Sequence, residues 1–112
     1  MASNGTATCV LFASDPTQAG LDVEGYGWQY CWGDVVMTKL RVTLQKHNWG
    51  WWWNNLHQVD TGWQYADYLF RGVYHTCLAG TYTYRIIADG SVMTSSTTES
   101  RSVTSSSMTY SC

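Results

Sequence analysis

An all-β fold, an antiparallel β-sandwich of Greek-key or immunoglobulin-like type with about seven strands, is predicted by three features of this chain. Strand signals run from end to end, turn residues punctuate them at short intervals, and no window of helical length carries a 3.6-residue apolar period. At 112 residues, 45% of them hydrophobic, the sequence supplies one core and too little for two, so residues 1–112 read as a single domain. A small closed barrel has the same strand spacing and remains the alternative.

The elements follow in order. Residues 6–13 form a first apolar run, Asp15-Pro16-Thr17-Gln18-Ala19-Gly20 supplies turn chemistry, and Leu21 to Trp32 returns as a second strand. The two read as a hairpin closed by Cys9 and Cys31. Its turn is centred too early for that cysteine pair, a mismatch that bulges at Gly25 and Gly27 would absorb. From Val36 to Lys46 the alternation is cleanest: Val36, Thr38, Leu40, Val42 and Leu44 face the core, and Met37, Lys39, Arg41, Thr43 and Gln45 face solvent. Asn48-Trp49-Gly50 then turns the chain into a strand from Trp51 to Val59, which Asp60-Thr61-Gly62 ends. Trp63 to Cys77 is one long strand or two bent pieces. Gly80 to Ala88 follows, with Tyr82, Tyr84, Ile86 and Ala88 on one face, and Asp89-Gly90 is expected to turn. Thr94 to Ser107, dominated by Ser and Thr, is expected to be a polar loop running into a final strand, where Val103, Met108, Tyr110 and Cys112 resume a β pattern.

The four cysteines, at 9, 31, 77 and 112, form no C-x-x-C pair and have no histidine at metal-ligand spacing, so neither a zinc site nor a thioredoxin-type motif is expected. An even count in a small, Ser/Thr-rich chain points to two disulfides and an oxidising compartment. Sequential pairing, Cys9 with Cys31 and Cys77 with Cys112, closes two local loops and is preferred among the three possible connectivities. The expected location is extracellular. Met1-Ala2-Ser3-Asn4-Gly5 lacks the apolar run of a signal peptide, so the sequence reads as a mature secreted form with an added initiator methionine. No apolar stretch approaches a membrane span. Asn4-Gly5-Thr6 is a glycosylation sequon, of consequence only in a eukaryotic secretory host.

Charged residues are 12% of the chain, about half the usual share, and eight acids against six bases give a formal charge of -2 with no run of either sign. Phosphate-dominated nucleic-acid binding is thereby excluded, since it needs a clustered basic surface. The aromatic content points elsewhere. Trp49, Trp51, Trp52 and Trp53 fall within five positions, in a chain with seven tryptophans. Strand side chains alternate faces, so one core cannot take them all, and an exposed indole is a stacking surface. With Asn54 and Asn55 as amide donors for hydroxyl-bearing ligands, and Trp63 extending the patch, these residues are the candidate ligand-binding set. A second aromatic group, Tyr26, Trp28, Tyr30 and Trp32, occupies every second position of one strand. It is either a core face or a binding platform; Cys31 has the opposite parity, which turns the ladder away from a buried disulfide.

Catalytic signals are weak. His47 and His57 flank one hairpin and could meet across its strands, but they lack a carboxylate or thiolate ligand nearby, and no metal or cofactor is expected. Asp60 and Asp67 have no spacing that sets a glycosidase pair across a cleft. No G-x-S-x-G elbow, H-E-x-x-H or phosphate-cradling glycine loop occurs, so no enzyme is expected.

The Cys-bearing first strand, the Gly25-Tyr26-Gly27 segment before Cys31, the run Gly80-Thr81-Tyr82-Thr83-Tyr84-Arg85 and the Ser-rich stretch into Tyr110-Ser111-Cys112 resemble small secreted two-disulfide β-rich proteins of actinobacteria. The resemblance implies an exported β-domain and carries over no catalytic residue. The leading expectation is a non-enzymatic extracellular module that binds glycan or another cell-surface ligand through the Trp49–Trp53 cluster. The alternatives are a protein-interaction module, whether inhibitor of a secreted enzyme or adaptor in a secreted toxin assembly, and a self-assembling structural protein.

Overall fold

The computed structural model describes residues 6–48 and 50–112, and the described chain is all-β. Its strands are β1 (Ala7–Ala13), β2 (Thr17–Ala19), β3 (Asp22–Gly33), β4 (Met37–His47), β5 (Trp53–Asp60), β6 (Tyr68–Thr76), β7 (Thr81–Met93), β8 (Thr98–Thr104) and β9 (Met108–Ser111). In the first sheet β1 and β2 lie end to end along one side of β3, and β6 pairs with its other side. In the second, the order is β5-β4-β7, with β8 and β9 end to end along the far side of β7. All pairings are antiparallel, and the chain crosses between sheets after β3, β5 and β6, the Greek-key connectivity of an immunoglobulin-like sandwich. Seven strand positions are therefore filled, as the punctuation of the sequence predicts, with the two outermost strands each broken once.

The sheets close on a core of Val23, Leu40, Val42, Leu44, Leu69, Val73, Tyr84, Ile86 and Ala88. Thr38, Leu40, Val42 and Leu44 of β4 point inward as their alternation requires, while Val36 lies before the strand and is exposed. Both disulfides have the sequential pairing. Cys9 and Cys31 are direct cross-strand partners, and Cys77 is tied to Cys112 at the end of β9.

Three local expectations are corrected, each for a packing reason. First, β3 contains no bulge. The extra residue is on its partner, where Ser14, Asp15 and Pro16 lie opposite Gly25 and Tyr26 between the β1 and β2 registers. The loop is anchored: Ser14 N donates to Tyr26 O at 2.8 Å, and Tyr26 N donates to Ser14 Oγ at 2.8 Å. Gly25 and Gly27 are glycines because the second sheet sits directly on them. A β-carbon at Gly25 would meet Ile86 Cδ1 at 2.6 Å, and one at Gly27 would meet Val42 Cγ2 at 2.9 Å.

Second, Asp89-Gly90 does not turn; β7 runs straight through it. Gly90 is buried and leaves room for Gln29, which crosses the core from β3 and donates its amide to Lys39 O and Ser91 O, each at 3.3 Å. Third, the Ser/Thr-rich segment is not a long loop, because residues 98–104 pair with β7 as an edge strand. Hydroxyl ladders support it: Ser91 meets Ser100 at 2.9 Å, and Thr83 meets Thr109 on β9 at 2.8 Å. A strand exposed along one edge is well served by small polar side chains.

Candidate functional site

The parity of β3 decides what the first sheet shows to solvent. Val23, Gly25, Gly27, Gln29 and Cys31 are taken by the interior, so Glu24, Tyr26, Trp28, Tyr30 and Trp32 must face out. The neighbouring strands are in phase. Val10 pairs with Tyr30 and Phe12 with Trp28 on one side, while Tyr68 pairs with Tyr30, Phe70 with Trp28 and Tyr74 with Glu24 on the other. The outer face of this sheet is consequently a continuous aromatic surface. Val10, Phe12, Tyr26, Tyr30, Trp32, Tyr68, Phe70 and Tyr74 are each between 40% and 60% exposed, so half of every side chain rests on neighbours and half is available to a ligand.

Neighbouring rings hold one another in place. Phe12 stacks on Trp28 with centroids 5.5 Å apart, Tyr26 on Phe70 at 5.2 Å, and Tyr30 on Trp32 at 5.5 Å. Offset stacking of this kind adds roughly 0.5–1.5 kcal/mol per pair beyond the area buried. The rings are pre-positioned on paired strands, which reduces the ordering cost of binding.

One position of this surface is empty. Gly72, cross-strand from Tyr26, has no side chain, and the β1–β2 break opens the sheet on the other flank. The result is an open groove of about 740 Å³ lined by Phe12, Tyr26, Phe70, Gly72 and Tyr74 among others. Asp15 and Glu24 stand on its rim. The volume lies within the range of small-molecule and sugar sites.

The tryptophans of the β4–β5 hairpin lie elsewhere. Its turn is closed by Asn48 N donating to Trp52 O at 2.8 Å, so Trp51 and Trp52 belong to the turn and the strand starts only at Trp53. Trp51 is 88% exposed and Trp52 64%. Trp53 is half-buried beneath Arg85, whose guanidinium carbon is 3.8 Å from the ring centroid, with His47 at 4.8 Å on the ring. Arg85 Nε also donates to Gln45 Oε1 at 2.8 Å, and partial desolvation lowers the guanidinium pKa from its ordinary value without removing its charge. Asn54 and Asn55 are exposed, and Asn55 Oδ1 accepts from Gln45 Nε2 at 2.7 Å. Trp63 is half-buried in the β5–β6 connection, with Lys39 Nζ of β4 5.3 Å over its ring. Trp49 and the Asn4-Gly5 part of the sequon lie outside the described residues. The candidate set drawn from the sequence is thus split between a hairpin tip, Trp51 and Trp52, and rings already engaged by the protein's own cations.

Neither candidate pair of titratable residues meets. His47 is opposite Trp53 and its Nε2 lies 2.6 Å from Gly50 O, whereas His57 is opposite Leu44 and faces the other sheet. There its Nδ1 accepts from Tyr74 N at 3.1 Å, and its ring is edge-on to Tyr74 at 5.2 Å, which ties the β5 edge to the β6 edge beside the groove. Asp60 accepts from Gly62 N at 2.8 Å in its own turn, and Asp67 O accepts from Cys31 N across the first sheet. Among the described residues no three His, Cys, Asp or Glu side chains converge as metal ligands, and no helix is long and apolar enough to cross a membrane.

Sequence reasoning singled out Tyr26, Trp28, Tyr30 and Trp32 but left open which way they point, and it passed over Val10, Phe12, Phe70 and Tyr74. The signal was available: Tyr68, Phe70, Gly72 and Tyr74 repeat with the same period two, against Leu69 and Val73 on the buried parity. Comparison with protein-family models, with curated proteins and with solved structures gives no match.

Proposed function

We propose that this chain is a secreted, non-enzymatic glycan-binding module, and that the aromatic face of the first sheet is its binding surface. The observation that carries the reading is the alignment of exposed rings on β1, β3 and β6 around a groove left open by Gly72. Sugar rings present apolar C–H faces that stack on aromatic side chains and hydroxyls that need hydrogen-bonding partners. This face supplies both, through its rings and through the Tyr26 and Tyr74 hydroxyls and the rim carboxylates. Two disulfides fit an oxidising, extracellular setting.

The test is titration calorimetry with hexasaccharides of β-1,4-linked glucose, N-acetylglucosamine and glucosamine. At least one is expected to bind the wild type, and Phe70→Ala is expected to weaken that binding about tenfold, the equivalent of 1.4 kcal/mol. Trp52→Ala is expected to leave it unchanged. Binding to none of the three, or equal loss in both variants, would overturn this assignment of the surface. A second reading, protein interaction, is supported by the hairpin tip, because two adjacent indoles as exposed as Trp51 and Trp52 are natural anchors for a partner pocket. It predicts a stoichiometric protein partner that is lost on Trp51→Ala while oligosaccharide binding persists.

A further inference from the structure

Five of the six bases of this domain lie on one sheet. Lys39, Arg41, Lys46, Arg85 and Arg101 all belong to strands of the second sheet. The remaining base, Arg71, has the inward parity of β6 and donates to the carbonyl of its own neighbour, Phe70, at 2.6 Å. Among the described residues the aromatic face therefore carries no Lys or Arg side chain. Its charged side chains are Asp22 and Glu24 on the outward parity of β3, joined by Asp15 at the groove rim. Among the described residues the carboxylates of Asp22 and Glu24 have neither a hydrogen bond nor an ion pair, while Asp15 Oδ1 accepts from Ser106 N at 3.1 Å.

Glu24 is placed where a ligand in the groove must pass. It lies in register between Thr17 of β2 and Tyr74 of β6. That row and the Phe12–Trp28–Phe70 row bound the open Tyr26–Gly72 row between them. The two bounding rows are four residues apart along β3, about 13 Å at the rise of an extended strand. An occupant stacked against Phe70 and Tyr74 thus has aromatic faces on its flanks and an unpaired carboxylate at one end. Both attract a cation, the rings through their quadrupoles and Glu24 through its charge, and among the described residues no Lys or Arg on the face repels one.

Resting on the glycan reading above, we infer that the groove selects sugars that carry a free, protonated amino group, as in a polymer of 2-amino-2-deoxyglucose, over their neutral or N-acetylated counterparts. The pyranose ring stacks on the aromatic walls and its ammonium pairs with Glu24. Acetylation removes the charge and adds bulk at the atom that faces the carboxylate.

The experiment compares the same three hexasaccharides, of glucosamine, N-acetylglucosamine and glucose, at pH 5.5 and low ionic strength against the wild type and Glu24→Gln. The glucosamine hexamer is expected to bind about tenfold more tightly than the glucose hexamer, with the advantage shrinking as salt is raised. In Glu24→Gln the two are expected to converge to within about twofold, chiefly through lost affinity for the glucosamine hexamer. Gly72→Val, which fills the groove from an open strand position, is expected to weaken all binding while leaving the fold intact. Equal or weaker binding of the glucosamine hexamer by the wild type, with the glucose hexamer still bound, would overturn the amino-sugar inference and leave the glycan reading standing. A preference that survives Glu24→Gln would overturn the role of that carboxylate. Binding of none of the hexamers would remove both.

Discussion

Gly90→Ala is a substitution that strand propensity alone would favour, since a glycine inside a strand is about 0.5–1 kcal/mol less stable than alanine. The packing predicts the opposite. A β-carbon at position 90 falls 2.8 Å from Gln29 Cδ, closer still to its amide oxygen, and 3.1 Å from Leu11 Cδ1. Gln29 is buried and its amide nitrogen serves Lys39 O and Ser91 O on two strands of the opposite sheet, so the side chain cannot retreat without giving up both bonds. Overpacking of a tight core costs about 1–3 kcal/mol, and each hydrogen bond lost costs about 0.5–1.5 kcal/mol. A net loss of roughly 2–4 kcal/mol follows, which for a domain of this size lowers the melting temperature by about 10 °C or more. Thermal and urea unfolding of Gly90→Ala, Gln29→Ala and the double variant measure it. With the amide already gone, the alanine is expected to cost little, giving a coupling above about 1 kcal/mol. A Gly90→Ala protein at least as stable as the wild type, or strictly additive losses, would refute the idea that Gln29 keys the sheets together.

Four further outcomes are expected. Tyr84 is buried and its hydroxyl has no hydrogen-bond partner among the described residues, so Tyr84→Phe should raise stability by about 1 kcal/mol in urea unfolding. Cys112→Ser should cost about 3–4 kcal/mol by the loop-closure entropy of a 35-residue separation, read from the same curves. His57→Ala removes the acceptor for Tyr74 N and should speed hydrogen exchange of that amide while leaving the β3–β6 ladder protected. A β-carbon at Gly72 finds only Gly25 O, at 3.7 Å, so Gly72→Val should keep or slightly raise the melting temperature as it plugs the groove.

The architecture was legible because it depends on patterns that survive in a single sequence. Thr38, Leu40, Val42 and Leu44 announce a strand and its buried side without reference to any partner, and the sequential cysteine pairs follow from loop length. What the sequence conceals are contacts made at a distance. Gly90 looks like a turn residue beside Asp89, and only the arrival of Gln29 from the other sheet explains it. Gly25 and Gly27 look like bulge residues until Ile86 and Val42 are seen lying on them. The serine and threonine hydroxyls of residues 98–104 read as loop composition because their partners, such as Ser91, lie in a different strand.

The candidate site divides the same way. The Trp51-Trp52-Trp53 run is conspicuous in sequence, and Trp51 and Trp52 are indeed exposed, yet Trp53 and Trp63 are occupied by Arg85 and Lys39. The larger aromatic surface is spread over three strands, with its rings two residues apart in each. It becomes visible only when the registers of β1, β3 and β6 are superposed. Parity of the buried Cys31 was the one clue that turned the Tyr26–Trp32 ladder outward, and it pointed the right way.

The most direct test is to map backbone amide chemical-shift changes by NMR as the glucosamine hexamer is titrated into isotopically labelled protein. The shifts are expected to cluster on residues 10–12, 24–32 and 68–74, centred on Tyr26, Phe70 and Tyr74, and to spare residues 50–55 of the hairpin. Shifts concentrated at Trp51 and Trp52, or none at saturating oligosaccharide, would contradict the assignment of the aromatic sheet face as the binding surface.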